Sequence, residues 1–484
     1  MAHSVLDRYP EFEVVIGIEV HVQLTTKSKM FCSSPNVIGN NPNSTICNIC
    51  SGYPGTLPVA NKAAIDYAIL AGIANNCTIN PVSSFDRKHY FYPDLPKGYQ
   101  ITQQFEPICL GGYVPVRLED GSIKKIRLIR IHMEEDAGKN LHSGFSNESF
   151  VDLNRAGTPL LEIVSEPDIR SVDEAKRYLK TLRSIVQYLG ICSGNMEDGA
   201  FRADTNVSVR KKGDSKFGTR CELKNINSFK YISDAVEYEI ERQIEIIQEG
   251  GSVNQETRLW DNKKNISVPM RSKENAADYR YFQDPDLPFV EVNEEKIAEI
   301  KKLLPELPHQ KFDRFTKKCG LSEYEADILV EDINLANYYD EARKLNDSKQ
   351  IINWILRDVL GYLKEHNTNL QEFNVSPAKL AEIITMIESD KINNHAAKEV
   401  FSIVAQTGKN PAEIVKEKGL EQIGSSDALE IIIKKIIDAN PEQVQQLKAG
   451  NERLMGFFVG QAMKESQGKG NPKIIQEILK KLLK

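Results

Sequence analysis

Between Glu11 and about Val292, apolar residues come in short alternating runs separated by Gly, Pro, Asn and Asp. Val14–Leu24, Ile126–Met133, Leu160–Val164, Asn206–Arg210 and Arg220–Lys224 alternate with a period of two and are bounded by turn residues. That pattern predicts antiparallel strands. Val172–Leu189 and Ser233–Gln248 break it, with apolar residues at three- and four-residue steps, the spacing of an amphipathic helix. The predicted class is α+β, with a large antiparallel sheet at the core of the N-terminal part.

After about Lys296 the alternation gives way to helical spacing rich in Leu, Ile, Lys and Glu. Pro377, Pro411, Pro441 and Pro472 stand at predicted helix starts, where a missing N–H costs nothing. Each follows a residue able to cap a helix: Ser376, Asn410, Asn440 and Asn471. A chain of 484 residues exceeds one ordinary core. Three domains are expected, over residues 1–295, 296–408 and 409–484.

Residues two apart in a strand share a face. Gly17, Glu19, His21 and Gln23 therefore lie together, opposite Ile18, Val20, Val22 and Leu24. The run ending at Met133 leads straight into Glu134, Glu135 and Asp136. Other runs align Glu162 with Glu166, Arg202 with Asp204, Asn206 and Ser208, and Arg220 with Glu222 and Lys224. One solvated sheet face explains any single strand. Five strands rich in acids point instead to a cation site, and oxygen ligands with at most one imidazole suit magnesium or manganese better than zinc. Magnesium commonly binds substrate phosphates, for which Lys224, Arg202, Arg87 and Lys88 are candidate partners. The sequence holds neither a Gly-x-x-x-x-Gly-Lys-Ser/Thr loop nor a strand-linked Gly-x-Gly-x-x-Gly, so a nucleotide is expected on a sheet surface.

The net charge of −6 means that nucleic-acid binding would have to come from local patches. Two stretches qualify. Between Arg87 and Tyr99, Tyr90, Phe91, Tyr92 and Tyr99 interleave with Arg87, Lys88, His89 and Lys97, a pattern for stacking bases and holding phosphates, or for an aromatic cap on the sheet. From Gln461 onward, Lys464, Lys469, Lys473, Lys480, Lys481 and Lys484 face only Glu465 and Glu477. No run approaches the roughly 20 apolar residues of a membrane helix, and Met1–Pro10 lacks the layout of a signal peptide, so a cytoplasmic location is expected. Cys77, Cys109, Cys192, Cys221 and Cys319 are scattered singly and are expected to be reduced thiols. Cys47 and Cys50 form a Cys-x-x-Cys knuckle with Cys32 upstream. These three sulfurs hold zinc only with a further donor, and a metal-free loop is the alternative.

Several phrases are specific as a set: Ile16–Leu24 (IGIEVHVQL), Phe85–Gln103 (FDRKHYFYPDLPKGYQITQ), His132–Gly138 (HMEEDAG), Val151–Ile169 (VDLNRAGTPLLEIVSEPDI), Glu222–Phe229 (ELKNINSF), Asp278–Phe282 (DYRYF) and Leu454–Lys464 (LMGFFVGQAMK). Together they resemble the GatB family, the B subunits of aspartyl/glutamyl-tRNA(Asn/Gln) amidotransferase. The resemblance implies an N-terminal cradle domain that uses ATP and Mg2+ to phosphorylate the side-chain carboxylate of Glu-tRNA(Gln) or Asp-tRNA(Asn). Ammonia from an amidase A subunit then displaces the phosphate, and a small C subunit completes a heterotrimer. The helical part would hold the tRNA body, with Lys464, Lys469 and Lys473 as contacts.

On this likeness Glu19, His21 and Glu135 are expected to ligate magnesium, with Glu134 beside them. Asp204 and Glu222 would lie near the metal or the ammonia path, and Lys224 or Arg202 would steady the phosphoryl group. Arg87, Lys88, Tyr90, Tyr92, Lys97 and Arg202 would meet the nucleotide or the tRNA acceptor end. Many family members carry Cys-x-Cys where this chain has Cys32-Ser33-Ser34, which removes the fourth zinc thiolate; His89 stands where the family has asparagine. A non-catalytic tRNA-binding scaffold is the alternative function. A zinc hydrolase built on His21 and His132 lacks a His-Glu-x-x-His motif.

Overall fold

The computed structural model describes residues 5–37, 39–142, 148–224, 226–270, 278–422, 426–449, 451, 453–466 and 470–483. The chain forms two compact units, Met1–Gly320 and Leu321–Lys484.

The first unit is built from β1 (Phe12–Gln23), α1 (Lys62–Ala74), β2 (Asp86–His89), β3 (Tyr99–Thr102), β4 (Ile123–Glu135), β5 (Pro159–Ser165), α2 (Val172–Tyr188), β6 (Phe201–Lys211), β7 (Cys221–Lys224), α3 (Phe229–Gln248), β8 (Glu256–Asp261), β9 (Ile266–Pro269), β10 (Phe282–Gln283), α4 (Glu294–Lys301) and α5 (Pro308–Lys317). Its main sheet runs β9–β8–β7–β6–β1–β5–β4, then the short strands Cys109–Leu110 and Thr78–Ile79; Tyr113–Arg117 also pairs with β4. All five strands read from the sequence belong to it. Its pairings are antiparallel except β7–β8, which is parallel, so the sheet is mixed where a wholly antiparallel one was predicted. The reason is the connection: the chain between β7 and β8 passes through α3, and a crossover of that length returns it in the same direction.

One face of β1 is sealed. Val14, Ile16, Ile18, Val20 and Val22 have essentially no exposed surface and share one core with Tyr178, Leu182 and Ile185 of α2 and Ile232, Val236 and Ile240 of α3. Each such side chain contributes about 1.5–3 kcal/mol by leaving water. Ser171 caps α2 by accepting from Glu174 N, and Ser228 caps α3 by accepting from Tyr231 N (3.2 Å). That cap explains why α3 starts at Phe229, ahead of the expected Ser233. A three-stranded sheet, β10–β2–β3, stands at the end of β4, where Gln100 Nε2 donates to Glu135 O (2.8 Å). Arg87 on β2 binds Asp284 (2.9 Å) and Asp286 (2.8 Å), clamping the segment after β10.

The second unit is helical throughout its described residues. Leu380 and Ile383 on the helix Pro377–Glu388 and Val400 and Val404 on the helix Asn394–Thr407 are buried, and Leu429, Ile433, Phe458, Ile475 and Leu479 center a core cluster. Helices begin at all four expected prolines. Ser376 and Asn471 cap theirs, accepting from Lys379 N and Lys473 N. Asn410 and Asn440 make no side-chain cap, and Asn440 instead donates back to Ile436 O (2.8 Å). No helix among the described residues is long and apolar enough to cross a membrane.

Glu239 of α3 has no exposed surface and binds Arg242 (2.6 Å), Gln243 (2.8 Å) and Arg258 of β8 (3.5 Å). Removing it leaves buried donors without their acceptor. Glu239→Ala is expected to destabilise the first unit by about 3 kcal/mol, read by chemical denaturation. An unchanged midpoint would show that the network contributes nothing.

Candidate active site

Four polar residues stand in one transverse row across the main sheet. His132 on β4 is opposite Glu162 on β5, Glu162 is opposite His21 on β1, and His21 is opposite Arg202 on β6. Directly opposed residues project from the same face, so the register alone brings these side chains together. Glu162 Oε2 lies 3.4 Å from His132 Nε2 and 3.5 Å from His21 Nε2. Glu134, two residues beyond His132, adds a carboxylate 3.8 Å from His21 Nε2. One ligand atom from each of His21, Glu134 and Glu162 falls within 4.8 Å of the others.

Burial works against charging either imidazole. The Glu162 and Glu134 carboxylates outweigh it and hold both histidines above their ordinary value, His132 at about 9. Burial would likewise raise Glu162, but His132 and His21 keep it well below the usual carboxylate range. His132 is 2% exposed, and its Nδ1 has no hydrogen-bond partner among the described residues. Two carboxylates and one imidazole, partly enclosed, make a donor set suited to a hard divalent cation.

A second charged group adjoins the row. Lys224 lies 3.1 Å from both Asp204 and Glu222, whose carboxylates raise its pKa in spite of burial. Glu19 accepts from Asn206 Nδ2 (3.1 Å). Burial raises its pKa first, and Glu162, Glu222 and Asp204 add to the effect. Glu19 therefore sits between the trio and Lys224, outside the His21–Glu134–Glu162 cluster.

Glu135 lies elsewhere. It accepts from Ile101 N (3.1 Å) and pairs with the Lys97 ammonium, which also approaches the rings of Phe31 and Tyr99. Adjacent strand residues face opposite ways, and it is Glu134, not Glu135, that shares the face of His132. Glu162 joins the cluster although the sequence marked it only as an acid on a strand face. The pairing of β1 with β5 was the missing signal. Next along the chain, Asp136 gathers Gln23 Nε2 (2.7 Å), Arg202 (3.0 Å) and Arg155 (3.7 Å).

The aromatic segment divides by role. Arg87 is held by its two aspartates and stands 4.3 Å over the Tyr99 ring. Lys88 stands 4.9 Å over Tyr279, and despite burial its pKa is raised, chiefly by Glu134. Tyr90 packs edge-on to Tyr279, while Phe91 is 89% exposed and Tyr92 48%. In the second unit, Lys464 and Lys473 are exposed on the helices Arg453–Glu465 and Pro472–Leu483; Lys469 lies outside the described residues.

Cys32, Cys47 and Cys50 do converge, with their sulfurs within 4.8 Å of one another. Cys50 receives hydrogen bonds from Cys32 and from Cys47 N (3.1 Å) and lies 3.7 Å from the buried Lys29 ammonium, which together lower its thiol to about 4. The Ser34 hydroxyl lies 3.9 Å from Cys50 Sγ, and no fourth thiolate joins the three among the described residues. Three sulfurs with one hydroxyl are a weak zinc set beside a lysine that already supplies positive charge.

Two cavities flank the row, one at each end of the polar face of β1. One, of about 310 Å³, is lined by Gln23, Asn36, Lys139, Asp152, Asn154 and Arg155 among others. The other, of about 440 Å³, is lined by Gly17, Glu19, Ile129, Ser208, Phe217 and Arg220 among others.

Residues 14–298 match the model of the GatB/GatE catalytic domain, and residues 337–483 match that of the GatB domain. The chain belongs to the GatB/GatE family. Its relatives include proteins named as B subunits of aspartyl/glutamyl-tRNA(Asn/Gln) amidotransferase. That of Thermodesulfovibrio yellowstonii is 50% identical over 98% of this chain and 100% of the relative. That of Persephonella marina is 49% identical over 98% and 100%, and that of Myxococcus xanthus is 48% identical over 98% and 99%. The catalytic-domain match spans the whole row and both cavities.

Burial alone would raise Asp136, yet Arg202 and Arg155 hold it below its ordinary value of 3.8. A depressed folded pKa gives stability that is present above the unfolded value and lost as pH falls through the folded one. The melting temperature is therefore expected to fall below about pH 4. Asp136→Asn should flatten that acid limb while lowering stability at pH 7. Parallel pH profiles for variant and parent would count against this pairing.

Proposed function

We propose that this chain is the part of an aspartyl/glutamyl-tRNA(Asn/Gln) amidotransferase that activates the side-chain carboxylate of a mischarged aminoacyl-tRNA with ATP and completes its amidation. The observation that carries the reading is the His21–Glu134–Glu162 trio beside Lys224 on one sheet face. The chemistry asks for such a face. A carboxylate does not yield an amide to ammonia directly, because oxide is too poor a leaving group. Transfer of the γ-phosphoryl group makes a bond from carboxylate oxygen to phosphorus and breaks the bond to the β,γ-bridging oxygen, which leaves with ADP. Ammonia then attacks the acyl carbon, phosphate departs with the former carboxylate oxygen, and one proton of the ammonium is lost.

His21, Glu134 and Glu162 would hold the magnesium ion. When bound, that ion supplies charge neutralisation and in-line orientation at the phosphates. Lys224 is placed to meet transferring phosphoryl oxygens, and its two acids fix its position. Arg202 and Arg155 bracket Asp136 at the other side of the row, where the substrate carboxylate would approach. No protein nucleophile is required, because the substrate carboxylate attacks. The exposed Phe91 and Tyr92, next to Lys88, offer stacking surfaces for the single-stranded acceptor end. The names of the relatives, as B subunits, support assembly with further subunits, of which an amidase A subunit would supply the ammonia and a small C subunit would complete the heterotrimer.

In the assembled enzyme, Glu162→Gln and Glu134→Gln are each expected to lower magnesium- and tRNA-dependent ATP cleavage by about 100-fold. Their tRNA affinity should be retained. Glu135→Gln is the contrasting variant. If it abolished cleavage while Glu134→Gln did not, the trio would be the wrong site.

The exposed lysines of the last two helices would meet the tRNA body. Lys464→Glu with Lys473→Glu is expected to weaken tRNA binding and to reduce its salt dependence by about one unit of log–log slope per lost phosphate contact, with ATP binding unchanged. An unaltered salt slope would remove these lysines from the interface.

A further inference from the structure

Outside the polar row, the first unit gathers Cys32, Cys47 and Cys50 beside the buried Lys29, a cluster that the function proposed above does not use. Zinc fits it poorly. No fourth thiolate joins the three among the described residues, and the Lys29 ammonium, 3.7 Å from Cys50 Sγ, already supplies positive charge. Lys29 has no exposed surface, and its ammonium also donates to Leu153 O at 3.4 Å. A cation buried in this way is stable beside an anion, and Cys50 is placed to be one.

A second thiol stands against Cys50. Cys47 Sγ is 3.8 Å from it, across a turn closed by Ser51 N donating to Cys47 O (3.0 Å). The Cys47 backbone N–H also donates to Cys50 Sγ (3.1 Å). A sulfur that faces an ammonium and a backbone N–H, with another thiol in contact, has the surroundings of a redox pair.

We propose that Cys50 and Cys47 form a reversible oxidation site, a thiol pair that a peroxide converts into a disulfide. Cys50 Sγ attacks one peroxide oxygen, the O–O bond breaks, and hydroxide leaves. Cys47 Sγ then attacks the sulfur of the resulting sulfenic acid. The S–O bond breaks, and the departing hydroxide takes the Cys47 proton and leaves as water. The two sulfurs give up two electrons, which the peroxide gains. Cys50 is 5% exposed, so the oxidant has to be small.

The disulfide takes the anion away from Lys29, and an ammonium left in the interior with a carbonyl is costly. That loss falls next to the active site. A Cβ at Gly157 would touch Cys50 and Lys29 at 3.5 Å and Glu135 at 3.8 Å, and Gly157 N donates to Asp136 O (2.9 Å). The knuckle also packs on the turn before β3, where a Cβ at Gly52 would collide with Lys97 N at 2.9 Å, and Lys97 pairs with Glu135. Both paths end at Glu135 and Asp136, directly after Glu134. Oxidation therefore loosens the end of β4 and slows the reaction at the trio. This last consequence rests on the function proposed above; the thiol chemistry does not.

The test exposes the assembled enzyme to hydrogen peroxide. It follows the Cys47–Cys50 cross-linked peptide by mass spectrometry, the melting temperature, and tRNA-dependent ATP cleavage. The purified enzyme is expected to hold no stoichiometric zinc. Peroxide should link Cys47 to Cys50, lower the melting temperature and slow ATP cleavage several-fold, and dithiothreitol should reverse all three. Cys32→Ser should leave the link forming. Cys47→Ser should match the parent before oxidation, form no link, and leave Cys50 as a sulfenic acid that dimedone labels. Stoichiometric zinc that shields the thiols overturns the proposal, as does a treated parent whose Cys50 stays free or links to Cys32. A link that changes neither melting nor cleavage overturns its coupling to the site. A parent enzyme that cleaves no ATP would sink the ATP reading, while mass and melting still decide the disulfide.

Discussion

Burying Val14, Ile16, Ile18, Val20 and Val22 under α2 and α3 leaves Gly17, Glu19, His21 and Gln23 on the opposite face of β1. A slip of one residue in β1 would bring five aliphatic side chains into the site and bury two ionisable groups in the core. Because β1 pairs with β5 on one side and β6 on the other, the same register also places Glu162 and Arg202 beside His21. The chemistry of the row is thus a by-product of core burial. It needs no loop to assemble it.

The row also has to tolerate its own charge. Glu134 and Glu162 face His21 and His132 across less than 4 Å, and Asp204 and Glu222 share Lys224. Burial disfavours the charged His132 imidazole, but Glu162 and Glu134 outweigh it and hold the group at about 9, so its proton offsets part of their charge. A divalent ion bound by His21 would compete with that proton, so cation affinity and imidazole protonation are linked. Glu135 escapes the crowding by facing β3, where Lys97 and a backbone N–H neutralise it. Two neighbouring glutamates thus serve different surroundings through strand geometry alone.

Charge is divided unevenly along the molecule. The whole chain carries −6, yet exposed Lys464, Lys473, Lys480 and Lys481 gather on its last helices. Their apolar sides, through Phe458, Ile475 and Leu479, hold the cluster together, so the basic surface rests on its own small core. A polyanion can be attracted there despite the net charge, because exposed charges beyond about 10 Å are largely screened at moderate salt.

Periodicity alone was enough to reveal the α+β class, the five strands, the two long helices of the first unit and the four proline-led helix starts, because each is set by residues a few positions apart. It also showed which face of β1 bears Glu19 and His21, and the resemblance carried by IGIEVHVQL and HMEEDAG pointed to a family. The sequence could not say which strands are neighbours, so neither the parallel β7–β8 pair nor the meeting of Glu162 with His21 was legible. It left Glu134 and Glu135 unseparated because the predicted run stopped at Met133; β4 in fact continues through Glu135, and strand alternation then sends the two side chains to opposite faces. Nor could it foresee that Arg87 is tied to Asp284, nearly two hundred residues away. Local spacing determined the elements and their faces; only the tertiary register, set by long-range strand pairing over a buried core, decided which of those faces' side chains meet.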